Sequence, residues 1–148
     1  MNPEEQSLYD TYRHTTLVRE NINKIITELL HRGTAHDASK FESPEREIFA
    51  SNGHKLQNTE YGGEEYKKLL VEVKPALDHH YANNRHHPQF HKNGIEDMTL
   101  TDLQEMLCDW DASTKRMKNG NIRKSIELNA EKYNICPQLR KIMENTIK

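Results

Sequence analysis

Five consecutive residues, His36-Asp37-Ala38-Ser39-Lys40, carry the side chains with the clearest chemical potential in this chain. An imidazole next to a carboxylate suits a divalent first-row metal ion. The ammonium of Lys40, one helical turn after His36, can neutralise the charge of a phosphate group. The segment is therefore predicted to hold a metal ion beside a phosphate, on a short helix that directly follows a long one.

A lone His-Asp dipeptide is most often solvated surface, so the prediction depends on the other histidines. The chain has nine of them, and six lie between His54 and His91. His14 stands earlier, with Asp10 one turn before it. Two interpretations of His14 remain open: a surface histidine beside a carboxylate, or a metal ligand with Asp10 as a second ligand or orienting partner.

Composition limits the class of protein. A length of 148 residues suits one domain. The net charge of -2 gives no general electrostatic argument for nucleic-acid binding. No apolar run approaches the roughly 20 residues that span a bilayer, and the acidic N-terminus lacks the apolar segment of a signal peptide. Cys108 and Cys136 have no metal-type spacing, which favours reduced thiols in a cytoplasmic protein.

Apolar residues recur at spacings of three and four, without strand alternation, so the fold class is all-α. The predicted helices run from Pro3 to Arg32, from Pro44 to about Ala50, from Glu64 toward Pro88, from Thr101 to Lys118, from Ile122 to Tyr133 and from Pro137 to Ile147. Gly33 is expected to end the first helix and Thr34 to cap the next one. A polar loop is expected from Asn52 to Gly63, of a length that often covers a site.

Histidines of the middle helix are the next candidates. At 100° per residue, His80, Asn84 and His87 fall on the inward side if the helix persists, whereas His79 and His86 fall outside it. Two inward histidines on one helix are usually satisfied core residues. Here the neighbouring amide and imidazoles favour a site.

The late helix contributes one of two aspartates. Thr101 and Gln104 form the pattern of a capping box at its start. Asp109 and Asp111 flank Trp110, and periodicity alone leaves open which of them points toward a site.

The order of these residues resembles the HD-domain metal-dependent phosphohydrolase superfamily. That superfamily is a helical bundle with one His, a His-Asp pair and a distant Asp as metal ligands. The extra histidines before the last Asp resemble its two-metal branch. The resemblance implies a single HD-like helical domain over residues 1–148. More closely, the segments 36–45, 79–88 and 106–110 resemble a small uncharacterised family of phage and bacterial proteins, which implies no established activity.

The resemblance also implies roles for particular residues. The four core metal ligands would be His14, His36, Asp37 and Asp109. The additional ligands would be His80 and His87, with His79 and His86 as alternatives. Lys40 would contact phosphate, and Arg85 would neutralise developing charge. The metal would be one or two divalent ions of manganese, iron, zinc or nickel, because all of them tolerate such ligands.

The expected function is a metal-dependent phosphohydrolase that acts on a nucleotide or another small phosphoester. One alternative keeps the ligands but is a di-iron oxygenase. Another is a phage protein that binds a nucleotide, or a host protein, without cleavage, and a fourth is a purely structural metal site. The chain is short for that superfamily, which implies a pocket that is either shallow or completed by a second subunit in a homo-oligomer. The expected location is the cytoplasm of a cell or of a phage host.

Overall fold

The structure, a computed structural model, describes residues 1–58, 64–117 and 119–147. Within these ranges the regular elements are all helical, so the predicted all-α class is confirmed. The α-helices are α1 (Pro3–Ala35), α2 (Glu45–Asn58), α3 (Glu64–Asn83), α4 (Leu100–Lys115), α5 (Ile122–Lys132) and α6 (Pro137–Thr146). Among the described residues, no helix has the length and apolar character needed to cross a membrane.

The chain divides into two compact units, Met1–Ala35 and His36–Lys148. The first unit is α1, an amphipathic helix without a buried residue. Its apolar stripe is exposed, as at Ile22, which is 51% exposed. The prediction that Gly33 ends this helix and Thr34 caps the next is wrong. The Thr34 hydroxyl instead donates to the carbonyl of Leu30 at 3.0 Å inside α1.

The second unit begins with a sharp turn. Asp37 has the left-handed conformation, with φ 56° and ψ 21°, and it precedes a short 3-10 helix over Ala38–Phe41. Aspartate is one of the few residues that adopt this conformation at small cost. The amide of Lys40 donates to the Asp37 carbonyl at 2.9 Å. The turn therefore brings the ammonium of Lys40 against the carboxylate of Asp37.

Helices α2 and α3 pack against each other. The expected end of α2 near Ala50 is wrong, because the helix continues to Asn58. Asn52, predicted in a loop, is buried and donates to the carbonyl of Ile48 at 3.2 Å. Residues 59–63 of the predicted loop lie outside the described residues. The inward face of α3 includes the buried Val73 and Ala76.

Helix α3 ends at Asn83, so the prediction that it persists to His87 is wrong. His87 has an extended backbone, with φ -95° and ψ 133°. This follows from its position before Pro88, since the proline ring disfavours helical geometry in the preceding residue. The following segment contains two 3-10 helices, Pro88–Phe90 and Gly94–Asp97.

The remaining core lies among α4, α5 and α6. Its buried residues are Met106, Leu107, Ile126, Ala130, Ile135 and Met143. The predicted capping box of Thr101 and Gln104 is wrong, because Thr99 and Asp102 form it. The Thr99 hydroxyl accepts from the Asp102 amide at 3.1 Å, and the Asp102 carboxylate accepts from the Thr99 amide at 2.8 Å.

Candidate metal centre

Among the described residues of the second unit, three overlapping groups of side chains could hold a metal ion. We call Asp37, His80, His86 and His87 the inner group, and His36, Asp37 and Asp109 the outer group. The third group consists of His36, His86 and Glu105. Asp37 belongs to both the inner and the outer group, so these two groups are adjacent.

The Asp37 carboxylate turns one oxygen to each group. Its Oδ1 lies 3.4 Å from Nε2 of His80 and 3.5 Å from Nε2 of His86. Its Oδ2 lies 3.5 Å from Nε2 of His36 and 2.5 Å from Nζ of Lys40. One carboxylate is therefore placed to serve two neighbouring cations, with Lys40 beside the outer one.

The inner group converges through its Nε2 atoms. The Nε2 atoms of His80 and His87 are 2.9 Å apart. These two nitrogens are close enough to bind one ion, and equally close enough for a hydrogen bond between the rings.

Two carboxylates contact the Nδ1 atoms of three imidazole rings, those of His36, His80 and His86. Glu45, which is fully buried, lies 2.8 Å from Nδ1 of His80. Glu105 lies 2.9 Å from Nδ1 of His36 and 3.2 Å from Nδ1 of His86. Because an ionised carboxylate only accepts hydrogen bonds, each Nδ1 must donate. A neutral ring then offers its Nε2 lone pair, the arrangement that carboxylates give to metal-binding histidines.

Two buried atoms test whether a metal ion fits. Among the described residues, Asp37 Oδ1 and His86 Nε2 are the buried side-chain polar atoms without a hydrogen-bond partner. A buried polar atom without a partner costs free energy, and such exceptions call for an explanation. A cation between these two atoms would satisfy both. The donor set of imidazoles and a carboxylate also suits a first-row divalent ion.

The two groups differ in access to solvent. The inner side chains of His80 and His86 are 5% and 2% exposed. In the outer group, the side chains of His36 and Asp109 are 27% and 24% exposed, with 3.7 Å between His36 Nε2 and Asp109 Oδ1. The outer group is thus partly exposed throughout, whereas two of the four inner ligands, His80 and His86, are buried.

The electrostatics of the cluster separate the rings by charge. The carboxylates of Asp109 and Glu105, the second of them hydrogen-bonded to Nδ1, raise the pKa of His36 to about 10. Burial, with the neighbouring imidazoles of His86 and His80, lowers the pKa of His87 to about 3. Burial would raise the pKa of Glu105, but the hydrogen bonds from the two rings outweigh it and lower that pKa to about 2. The cluster therefore combines ionised carboxylates and a protonated His36 with a neutral His87, and an ion bound at Nε2 of His36 would displace the proton there.

Two of the alternative ligands, His79 and Asp111, have other partners. His79 donates from Nδ1 to Glu45 at 2.7 Å and belongs to none of the three groups. Asp111 pairs with Lys115 at 2.5 Å, so Asp109 is the aspartate of this helix that joins the cluster. His14 lies in the first unit, where it is exposed. The three groups draw on residues of the second unit alone.

Asp10, the proposed partner of His14, also lies on α1. It is exposed, and each of its carboxylate oxygens accepts from the Gln6 amide at 3.1 Å.

The Arg85 guanidinium forms a bidentate ion pair with the carboxylate of Asp102. Its Nε lies 2.7 Å from Asp102 Oδ1, and a terminal nitrogen lies 3.0 Å from Oδ2. Asp102 is fully buried, whereas the Arg85 side chain is 48% exposed. The bidentate pair therefore supports the carboxylate that caps α4.

Replacing Arg85 by alanine is expected to destabilise the protein and to leave its metal content unchanged. The loss should be about 1–2 kcal/mol, because one partner is buried and the other half-exposed. That corresponds to a melting temperature lower by about 2–8 °C. Calorimetry of Arg85→Ala beside Arg123→Ala, an exposed arginine on α5, measures the effect. Loss of metal without a change in melting would contradict this role.

The sequence interpretation missed Glu45 and Glu105. Glu105 stands four residues before Asp109, so the two lie on the same helix face one turn apart. That spacing was a usable signal. Glu45 gave none, because an acidic residue in the first turn of a helix is common.

No curated protein and no solved structure matches this chain. A family model matches residues 3–148. The match covers nearly the whole chain, including every residue of the three ligand groups. The chain therefore belongs to DUF5662, a family of unknown function.

Proposed function

We propose that this protein is a metal-dependent phosphohydrolase that acts on a nucleotide or another small phosphoester. The observation that carries the proposal is the position of Asp37, with Oδ1 toward the inner group and Oδ2 toward His36 and Lys40. A carboxylate shared by two ligand groups is the arrangement that two-metal phosphoester enzymes need. The resemblance to HD-domain phosphohydrolases supports the same assignment.

The inner group would hold the more permanent ion. It offers four protein ligands, of which His80 and His86 are buried. Sites closed by four protein ligands are typical of tightly held ions, whereas three protein ligands leave a position for water or substrate. The outer group has three ligands and faces solvent, so the phosphoester would bind on that side.

Chemistry at the site would combine the metal with charged side chains of this chain. A divalent ion supplies Lewis acidity toward a phosphoryl oxygen and lowers the pKa of water. Lys40 would neutralise charge on the phosphoryl oxygens, because its ammonium lies against the same carboxylate oxygen that faces His36. Buried His80 and His86 would exclude bulk water from the opposite side.

The test is turnover of a phosphoester panel by metal-loaded protein. Protein purified without a histidine tag would be loaded with manganese, iron, zinc or nickel, then incubated with p-nitrophenyl phosphate, its diester, and nucleoside mono-, di- and triphosphates. We expect phosphate or p-nitrophenol release by the wild type and none by Asp37→Asn. Full metal loading without turnover of any substrate would overturn the proposal, and oxygen uptake by the iron form would favour an oxygenase.

Metal binding itself should occur in two unequal steps. We expect titration of metal-free protein with Mn²⁺, followed by calorimetry, to give a tighter first equivalent and a weaker second one. The variant Asp109→Asn should lose the second step only, because Asp109 belongs to the outer group alone. A single step of one ion per chain in the wild type would contradict the two-position arrangement.

A further inference from the structure

Glu105 contacts one histidine from each ligand group. Its Oε1 lies 2.9 Å from Nδ1 of His36 and 3.2 Å from Nδ1 of His86. His36 belongs to the outer group and His86 to the inner group. The centroids of the two rings are 4.4 Å apart. A single carboxylate oxygen therefore lies against both imidazoles, on the side away from Asp37.

The hydrogen-bond roles of these atoms follow from their chemistry. An ionised carboxylate has no hydrogen to donate, so the Nδ1 of each ring must donate to Glu105. The Nε2 of each ring then points toward Asp37, at 3.5 Å from Oδ2 for His36 and 3.5 Å from Oδ1 for His86. Fixing Nδ1 thus fixes which nitrogen can bind a metal and where that nitrogen lies.

We propose that Glu105 is a shared positioning residue that orients His36 and His86 together and thereby couples the two metal positions. The inference rests on the metal centre of the proposed function and adds a residue that serves both halves of it. In the third group, Glu105 then accepts hydrogen bonds from His36 and His86 and binds no metal itself. The partnerless Nε2 of His86 favours this assignment, because it leaves the ligand nitrogen of that ring on the Asp37 side.

Glu45 provides a matched comparison within the same site. It also holds an imidazole by Nδ1, at 2.8 Å from His80, and its other oxygen holds His79. Of these two histidines, only His80 belongs to a ligand group, the inner one. Loss of Glu45 should therefore affect one metal position, whereas loss of Glu105 should affect two.

The experiment compares Glu105→Ala, Glu105→Gln, Glu45→Gln and Asp111→Asn in the full chain. Mn²⁺ affinity would be measured by calorimetry, and the ring tautomers of the Zn²⁺-loaded proteins by nitrogen-15 NMR of labelled histidine. For Glu105→Ala we expect both affinities to fall about 10- to 100-fold and two Nδ1–H signals to change. Glu105→Gln should recover part of the affinity, because its amide oxygen still accepts.

The controls distinguish the orientation of the two histidines from an unspecific loss of metal affinity. Glu45→Gln should weaken the tighter position alone, and Asp111→Asn should weaken neither. Wild-type affinity at either position in Glu105→Ala would overturn the shared role. Loss of a protein oxygen ligand in X-ray absorption, with both tautomers unchanged, would overturn it in favour of direct ligation. If Glu105→Ala does not fold, the isosteric Glu105→Gln carries the same comparison. Absence of turnover in the wild type would count against the proposed function and leave these metal measurements valid.

Discussion

Asp37→Asn is expected to lower metal affinity at both positions by at least about a hundredfold, more than loss of a supporting residue costs. An amide cannot supply the negative charge that holds two cations, and Asp37 is the residue common to the inner and outer groups. Asparagine also accepts the left-handed backbone at this position, where φ is 56°. The change therefore tests the carboxylate, whereas alanine would add backbone strain of about 1 kcal/mol.

A close control exists on α4. Asp111 pairs with Lys115 at 2.5 Å, just as Asp37 pairs with Lys40 at 2.5 Å, but it belongs to none of the ligand groups. Asp111→Asn should keep full metal content and activity. Metal analysis by mass spectrometry, with melting of the metal-free proteins, compares the two variants. Full metal content in Asp37→Asn would contradict the role of Asp37 as the ligand shared by the two groups.

The apolar periodicity of this chain predicted the helices well where both ends carry local signals. The starts of α5 and α6 agree with the prediction, and their ends fall one residue short of it. The start of α4 was wrong because two overlapping capping patterns occur there, at Thr99 and at Thr101. Asp102 completes the first and also binds Arg85. The ion pair with Arg85 stabilises the capping box of Thr99 and Asp102. It is a tertiary contact, so the sequence around the start of α4 does not reveal it.

The histidines show a similar limit. His80 was predicted to face inward, and it is buried. His86 was placed outside by extending the helix at 100° per residue, yet it is 1% exposed. The helix ends at Asn83, and the turn before Pro88 rotates the next residues away from helical positions. A periodic projection fails at the residue where the period stops, and here that residue lies inside the site.

Lys40→Met separates catalysis from metal binding. The Lys40 side chain is 45% exposed, and its Nζ lies 2.5 Å from Asp37 Oδ2. Methionine retains an apolar stem and removes the charge. We expect phosphoester turnover to fall on the order of a hundredfold, the scale of one lost transition-state contact. Melting should change little, because a half-exposed ion pair contributes about 0–1 kcal/mol.

Lys40→Met should lower turnover without lowering metal affinity, so the variant distinguishes a role in catalysis from a role in metal binding. The ammonium of Lys40 would repel a cation at the outer group and would compete with it for Asp37 Oδ2. Its removal should leave metal affinity unchanged or increase it while turnover falls. Turnover, Mn²⁺ affinity and melting measured on the same preparation distinguish three cases. Slower turnover with undiminished affinity supports a role on the phosphate, and lower affinity would instead make Lys40 a support for Asp37. Unchanged turnover would show that Lys40 does not act on the phosphate, and it would count against the proposed phosphohydrolase.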